Sequence, residues 1–176
     1  MNTGREFTLF LSSTGTVYSC GRNTFGELGL GHTNPITNPQ PIPNLPPIKF
    51  ITTGGFHAHA ISEDGKLYSW GRNDYGQCGI GESSAGVLEP SIVSGVSDVV
   101  YVCAGGFHSL VLLEDGRVFG WGRNGYGELG LGFCGVVEGP EVFWRIIGVV
   151  VMLSCGWEHS VVLTEQGVLF GWGRND

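Results

Sequence analysis

Apolar and polar residues alternate in short runs along this chain, and pairs of such runs flank a glycine turn. A clear example is residues 105–112, which are followed by a turn at Gly116 and then by residues 118–122. Alternation with a period of two is typical of a half-buried strand, and two strands joined by a short turn predict a β-hairpin. In the second strand Phe119 and Trp121 share one face, and the opposite face carries smaller residues.

The hairpin occurs four times at a nearly constant spacing. An asparagine marks the same place in every copy, and successive copies are 50, 51 and 51 residues apart. The three later copies also share a histidine, a turn glycine and a tryptophan, namely His57, His108, His159, Gly65, Gly116, Gly167, Trp70, Trp121 and Trp172. The first copy has Phe7 and Cys20 in place of the histidine and the tryptophan. A fixed period of this length predicts a repeat architecture, in which these residues are structural and each unit packs against its neighbours.

The segments between the hairpins predict one more type of element. An apolar strand is expected before each later hairpin, at residues 48–52, 99–103 and 149–153. The rest of each segment shows no clear alternation, and we interpret it as a surface connector, at residues 32–47, 82–97 and 133–147.

The unequal faces of the hairpins indicate how the sheets pack. A bulky face needs a recessed partner to reach the packing density of protein interiors, and we expect Ala58 and Ala60, or Ser160 and Val162, to form such a recess. Stacking sheets in one direction meets this need, as in a β-propeller. We therefore predict an all-β fold, a partial β-propeller of four-stranded antiparallel blades with three to four blades in an open arc. The chain is expected to be a single repeat domain, 1–176, with repeats at about 1–50, 51–101, 102–152 and a shortened 153–176.

Composition supports this fold and limits the possible partners. Glycine accounts for 31 of 176 residues and recurs with the repeat, so it marks turns and close contacts between strands. A net charge of −7 argues against direct nucleic-acid binding, which requires a basic surface, and a basic protein partner is one interpretation of it. The chain shows no signal peptide and no apolar run long enough to span a bilayer. We therefore expect an intracellular location, cytoplasmic or nuclear, and no contact with a membrane.

The cysteines indicate no special chemistry. They are Cys20, Cys78, Cys103, Cys134 and Cys155, and their number is odd. Two of them lie in apolar runs typical of strands, so we expect small buried side chains in a reducing compartment. No Cys-x-x-Cys pair indicates a zinc or redox site.

The third copy carries the fullest set of repeated residues. It has Gly-x-x-His-Ser at 105–109 and Asp-Gly-x-Val-x-x-Trp-Gly-x-Asn-x-x-Gly-x-Leu-Gly at 115–130. This unit resembles the regulator of chromosome condensation repeat, and the resemblance covers the whole chain with about three and a half repeats. It implies a seven-bladed propeller, which three and a half repeats do not close. We therefore expect either half of such a ring in a longer protein or a ring completed by a second copy.

One arginine recurs beside the asparagine of every copy, and these arginines are Arg22, Arg72, Arg123 and Arg174. An arc of arginines on one face is a candidate binding surface for an acidic partner. The alternative is that each arginine packs on its own aromatic residue or caps a neighbouring loop. The adjoining asparagines and glycines are expected to adopt positive φ in tight turns.

The histidines are better explained by structure than by metal binding. His57 and His59 share a strand face, but no third ligand accompanies them, so we expect no metal site. A histidine repeated at a strand entry is expected to hydrogen-bond the backbone of a neighbouring blade.

No residues indicate a nucleophile, a catalytic acid and base, or a phosphate-binding loop. We therefore expect no enzymatic activity and no cofactor. The predicted function is a protein–protein interaction scaffold that binds a protein partner, such as a small GTPase or a basic protein. The alternative, implied by the resemblance, is guanine-nucleotide exchange on a Ran-like small GTPase.

Overall fold

The computed structural model describes residues 1–142 and 148–176 and arranges their strands in four sheets. Sheet 1 contains β1 (Asn2–Thr3), β2 (Phe7–Leu11), β3 (Val17–Gly21) and β4 (Ile36–Pro41). Sheet 2 contains β5 (Ile48–Thr53), β6 (His57–Ser62), β7 (Leu67–Asn73) and β8 (Ser84–Ile92). Sheet 3 contains β9 (Val99–Ala104), β10 (His108–Leu113), β11 (Val118–Asn124) and β12 (Gly135–Val142). Sheet 4 contains β13 (Val150–Cys155), β14 (His159–Thr164) and β15 (Leu169–Gly173).

Each sheet is an antiparallel meander in which neighbouring strands follow one another in sequence. The prediction of an all-β, partial propeller is confirmed, and the described sheets form an open arc. The strands predicted before the hairpins correspond to β5, β9 and β13. The described residues include no helix with the length and hydropathy needed to cross a membrane.

The segments interpreted as connectors contain the fourth strand of sheets 1 to 3. These strands, β4, β8 and β12, each lie at the edge of a sheet. Most residues of β4 are exposed, so the strand lacks the alternation by which the others are found. Its prolines are compatible with the fold because an edge strand needs backbone N–H donors only on the side that pairs with the neighbouring strand. The last residues of the predicted connector 133–147, from 143 onwards, lie outside the described part of the chain.

Tryptophans on the second strand hold successive sheets together. The indole Nε1 of Trp70 donates a hydrogen bond of 2.9 Å to the Glu27 carbonyl in the loop of sheet 1, and Trp121 donates one of 2.9 Å to Gln77 in the loop of sheet 2. A methyl group added at Gly79 of that loop would lie only 2.5 Å from the Trp121 ring. The glycine therefore makes the space that the indole occupies.

The recess is not where the sequence placed it. Ala58 pairs directly with Trp70, so both side chains lie on the same face of sheet 2. The indole of the next sheet, Trp121, instead meets the opposite face, where its ring lies 6.0 Å from the ring of His59. Small residues beside the tryptophan make room within the bulky face, and the partner face presents His57, His59 and the loop glycine.

The expectation for the cysteines is wrong for Cys103 and Cys155, which form a disulfide between β9 and β13. Their Cα atoms are 5.7 Å apart although the residues are 52 positions apart in the chain, because stacking brings equivalent inner strands together. Among the remaining cysteines, Cys78 is buried, Cys20 is half-buried and Cys134 is exposed. Burial raises the pKa of the Cys78 thiol to about 12, so that it stays protonated and unreactive.

Candidate functional site

The four candidate arginines occupy the same place in the four sheets. The backbone amide of each donates a hydrogen bond across its hairpin, to the carbonyls of Glu6, Phe56, Phe107 and Glu158 at 2.8 or 2.9 Å. Equivalent backbone positions in stacked sheets bring the four guanidinium groups to one end of the sheets. Aromatic residues accompany them there. We call this surface the arginine–aromatic face; it consists of Arg5, Arg22, Phe25, Phe56, Arg72, Tyr75, Phe107, Arg123, Tyr126, Trp157 and Arg174.

Arg72 lies at the centre of this face among aromatic rings from three sheets. Its guanidinium carbon is 4.7 Å from the ring centroid of Phe25, 5.4 Å from that of Phe56 and 5.1 Å from that of Phe107. The same group forms an ion pair of 2.6 Å with Asp74, and 23% of the side chain is exposed. The rings hold the cation in one orientation and leave an edge of it accessible.

Glu158 joins two further arginines. It accepts hydrogen bonds of 2.8 Å from Arg123 and 2.9 Å from Arg174, and its side chain is 14% exposed. The hydrogen bond from Arg174, with the charge of Arg123, holds the pKa of this carboxyl below its ordinary value. Arg22 forms an ion pair with Glu6 in sheet 1. All four arginines of the predicted arc therefore have a carboxylate partner within the chain.

Arg5 differs from these four arginines. It forms no close ion pair with a carboxylate among the described residues, and its guanidinium lies 5.5 Å from the Phe56 ring and 6.0 Å from the Trp157 ring. Trp157 is 46% exposed and rests on glycine backbone, because a methyl group at Gly55 would come within 3.0 Å of the indole. Between them lies an open cavity of about 330 Å³. It presents a cation, an aromatic ring and bare backbone.

The aromatic part of the face was not predicted from the sequence. Phe56 and Phe107 are stacked with centroids 5.8 Å apart, and Phe107 meets Trp157 at 5.7 Å. Tyr75 lies 5.6 Å from Phe107 and extends the row. A usable signal exists, because an aromatic residue follows the repeated asparagine by two positions in each of the first three copies.

The repeated asparagines support the loops in a way that differs from the prediction. Asn73 is fully buried; its Oδ1 accepts a hydrogen bond of 3.0 Å from the Cys78 amide, and its Nδ2 donates one of 2.8 Å to the Glu82 carbonyl. Asn23 and Asn124 make the equivalent bonds. None of these three has positive φ. Their side chains therefore clamp the loop, and the glycines alone take up the left-handed conformation.

The histidines form a buried network between sheets through serine hydroxyls. Nε2 of His57 and Nε2 of His59 lie 2.9 and 2.8 Å from Oγ of Ser109 in the next sheet. The serine proton is used in a 3.0 Å bond to the Gln77 carbonyl. Since a hydroxyl has one proton, both imidazoles must donate through Nε2. His108 makes the same contact with Ser160, at 2.8 Å.

These histidines are neutral near pH 7. Burial lowers the pKa of His59 to about 3, and burial with the nearby His159 lowers that of His108 to about 4. Burial also lowers the pKa of His57 well below its ordinary value, helped by His59 and His108. Within residues 1–142 and 148–176, no group of three histidine, cysteine, aspartate or glutamate side chains is placed to hold a metal ion.

Two family models, both described as the regulator of chromosome condensation (RCC1) repeat, match this repeated architecture. One matches residues 14–61 and 64–112, and the other matches residues 48–77, 99–128 and 150–176. The chain belongs to the RCC1 repeat family. The RCC1 repeats thus supply the hairpins, the loop clamps and the arginine positions described above.

Relatives with RCC1 repeats have several functions. The chain is 40% identical to the rat probable E3 ubiquitin-protein ligase HERC4 over 178 residues, covering 98% of this chain and 17% of that protein. It is 32% identical to the mouse secretion-regulating guanine nucleotide exchange factor over 186 residues, covering 98% of this chain and 40% of that protein. The solved structure of Prp20p from Saccharomyces cerevisiae, studied with its binding properties to Gsp1p and histones, superposes with a TM-score of 0.83 at 27% identity. That match covers 97% of this chain and 44% of Prp20p, so the chain spans less than half of each relative.

These relatives bear on two predictions. They support a repeat scaffold for protein interaction. They correct the expectation of no enzymatic activity, because HERC4 is named a ubiquitin ligase and the chain covers only 17% of it. That match falls in the RCC1 repeats, which are a non-catalytic region. The residues of the repeats therefore carried no information about the activity of a longer protein that contains such repeats.

Proposed function

We propose that this RCC1-repeat scaffold binds a protein partner through the arginine–aromatic face. The observation that carries the proposal is the setting of Arg72, held among Phe25, Phe56 and Phe107 with 23% of its side chain exposed. Arginine, tyrosine and tryptophan are enriched among the residues that contribute most to protein interfaces. A guanidinium already held by its neighbours loses little conformational freedom on binding.

The charge of the face favours a partner that is not simply anionic. Its five arginines, Arg5, Arg22, Arg72, Arg123 and Arg174, stand against four carboxylates, Glu6, Asp74, Glu158 and Asp176. The face is thus close to neutral in a chain with a net charge of −7. Aromatic contact and directed hydrogen bonds from Arg72 and Arg123 would provide the specificity, and the acidic remainder would attract a partner with basic patches.

Charge reversal at Arg72 and Arg123 tests this proposal. The variant R72E/R123E should weaken partner binding by about tenfold or more, since it removes two central contacts. R117E is a matched control, because Arg117 also forms an ion pair with a carboxylate two residues away but lies at the turn end of β11. The measurement is affinity capture from a lysate, followed by calorimetry with the recovered protein. Equal weakening by R117E, or unchanged binding by R72E/R123E, would refute the proposal.

A second candidate function is nucleotide exchange on a Ran-like small GTPase. It is favoured by the similarity to the mouse exchange factor and to Prp20p, whose binding to Gsp1p has been studied. An exchange assay with a fluorescent nucleotide separates the candidates. Faster release in the presence of the chain supports exchange activity, whereas binding of the GTPase without faster release supports a scaffold alone.

Three finer proposals accompany this function. Residues 1–176 are proposed to act as one repeat domain, and its location is proposed to be intracellular, cytoplasmic or nuclear. That location is supported by the similarity to Prp20p, a protein studied for its binding to histones. The cysteines no longer support a reducing compartment, because Cys103 and Cys155 form a disulfide. Association of two copies that together complete the ring is proposed as well.

A further inference from the structure

Arg5 and Trp157 occupy the same position of the repeat, two residues before the hairpin begins in sheets 1 and 4. In sheets 2 and 3 that position holds Gly55 and Gly106. The first and last sheets thus carry two large side chains, and the two sheets between them carry none. At the arginine–aromatic face the large side chains meet over the glycines.

The glycines form the floor of the cavity beside Trp157, and the two large side chains form its walls. A methyl group added at Gly106 would lie 2.9 Å from the Trp157 ring, and one added at Gly55 would lie 3.0 Å from it, so the indole extends from sheet 4 across sheet 3 to sheet 2. Arg5 approaches from sheet 1, where its backbone N–H donates a hydrogen bond of 3.2 Å to the Gly55 carbonyl. The cavity of about 330 Å³ is lined by residues of all four sheets and therefore lies within the arc.

One positive charge of the arginine–aromatic face is unbalanced, and it belongs to Arg5. Each of the other four arginines of the face forms an ion pair with a carboxylate of the chain. Arg5 is exposed, and it is the one charged residue among the described residues that line the cavity. A guanidinium is planar and matches a carboxylate through two parallel hydrogen bonds. The site therefore suits one carboxylate.

We propose that this cavity binds one aspartate or glutamate side chain of the protein partner. The proposal rests on the proposed function, in which the partner covers the arginine–aromatic face. The carboxylate binds the Arg5 guanidinium, and the Trp157 indole, which is 46% exposed, packs against the aliphatic part of the same side chain. One carboxylate neutralises the surplus charge of the face, so the rest of the partner surface can be basic, as the net charge of −7 favours.

The charges around the cavity favour a carboxylate over a phosphate group. Glu6 and Glu158 directly follow Arg5 and Trp157 in the chain, and two nearby negative charges repel a doubly charged phosphate more strongly than a carboxylate. The aromatic row favours a group that a protein carries. Phe56 lies 5.5 Å from the Arg5 guanidinium and 6.3 Å from the Trp157 ring, so a protein that packs on the row brings a side chain to the cavity.

Short blocked peptides test the site without the partner. The probe is acetyl-Gly-Glu-Gly-amide, and its binding to the full chain is followed by the NMR signals of the Arg5 Nε–H and the Trp157 indole N–H, which R5K and W157F identify by their loss. We expect saturable binding in the millimolar range. The matching glutamine peptide should bind about tenfold more weakly, because a hydrogen bond to a charged group is lost.

Variants of the chain show which residues bind the peptide. R5Q should weaken binding of the glutamate peptide about tenfold, and W157A should weaken it by a smaller factor. R117Q is the matched control and should leave binding unchanged, because Arg117 lies at the turn end of β11 and pairs with Asp115. Circular dichroism checks the folding of each variant, and both Arg5 and Trp157 are exposed.

The protein partner recovered in the R72E/R123E experiment provides a second test. R5Q should weaken that complex about tenfold. Replacing the acidic residues of the partner by their amides, one at a time, should identify one whose loss weakens the wild-type complex but not the R5Q complex, since the two groups then form one contact.

Three results would overturn the proposal. One is equal binding of the glutamate and glutamine peptides. Another is tighter binding of a phosphoserine peptide, or of a peptide with a free terminal carboxylate, which would assign the cavity to a different anion. The third is a partner complex that R72E/R123E weakens and R5Q does not; the arginine–aromatic face then binds the partner without the carboxylate contact. If R72E/R123E leaves the complex unchanged, the proposed function is wrong, and the peptides still decide whether the cavity binds a carboxylate.

Discussion

Replacing Ser109 with alanine should destabilise the protein more than the same change at Ser160. The Ser109 hydroxyl accepts hydrogen bonds from His57 at 2.9 Å and His59 at 2.8 Å and donates one to the Gln77 carbonyl at 3.0 Å. Without it, two buried N–H groups lose their acceptors. Nδ1 of both rings already lacks a partner among the described residues, so no other tautomer relieves the loss.

The expected magnitude follows from the number of unsatisfied groups. A buried donor without a partner costs about 1–3 kcal/mol, so S109A should lower the free energy of unfolding by about 2–6 kcal/mol. The Gln77 carbonyl keeps its 2.9 Å hydrogen bond from Trp121 and adds little to this cost. S160A removes the partner of His108 alone, and its cost should be about 1–3 kcal/mol.

Urea unfolding followed by tryptophan fluorescence measures both variants against the wild-type chain. The two serines are fully buried, so the change in side-chain volume is matched and the difference reports the second histidine. If S109A costs no more than S160A, then His59 does not depend on the hydroxyl and the proposed network is incorrect.

Three further predictions concern the loop, the buried histidines and the cysteines. G81A should lower the free energy of unfolding by about 1–2 kcal/mol, because residue 81 has positive φ. G79A has the same backbone cost and should lose about 1–3 kcal/mol more, because its methyl group meets the Trp121 indole of the next sheet. Thermal unfolding compares the two variants. Burial lowers the pKa of His59 to about 3, so the unfolded chain takes up a proton first as the pH falls below about 6.5, and His59 alone should lower the free energy of unfolding by about 1.4 kcal/mol per pH unit between those values. Unfolding at pH 7, 6 and 5 checks this, and a flat profile would contradict it. The Cys103–Cys155 disulfide predicts that three thiols, not five, react with a thiol reagent in denaturant without reductant.

Much of the fold was predictable from local patterns because each hairpin is a local structure. The turn at Gly65 joins strands that pair residue by residue, so the alternation of β6 and β7 is visible within about fifteen residues. The edge strand β4 was missed for the opposite reason. Its residues are mostly exposed, and burial on one face is what produces the alternating pattern.

The candidate site was only partly predictable. The repeat showed that Arg72 and Arg123 recur at one position, but not that a carboxylate of the chain already pairs with each of them. Glu158 stands at the position of Phe56 and Phe107, and its effect on Arg123 depends on the stacking of sheets 3 and 4. Residues that belong to different copies meet only when the sheets stack, and the period alone does not say which faces meet.

The sequence by itself determined the strands of each hairpin, the glycine turns, the repeat and its family. These features depend on neighbouring residues, whose spacing along the backbone is the same in the chain and in the fold. The tertiary structure alone decided that the histidines bond serines of the next sheet, that Cys103 and Cys155 pair, and that Arg72 is enclosed by rings from three sheets. Apart from the contact of Arg72 with Phe56, each of these contacts joins residues from different copies, and only the packing of one sheet on the next brings them within bonding distance.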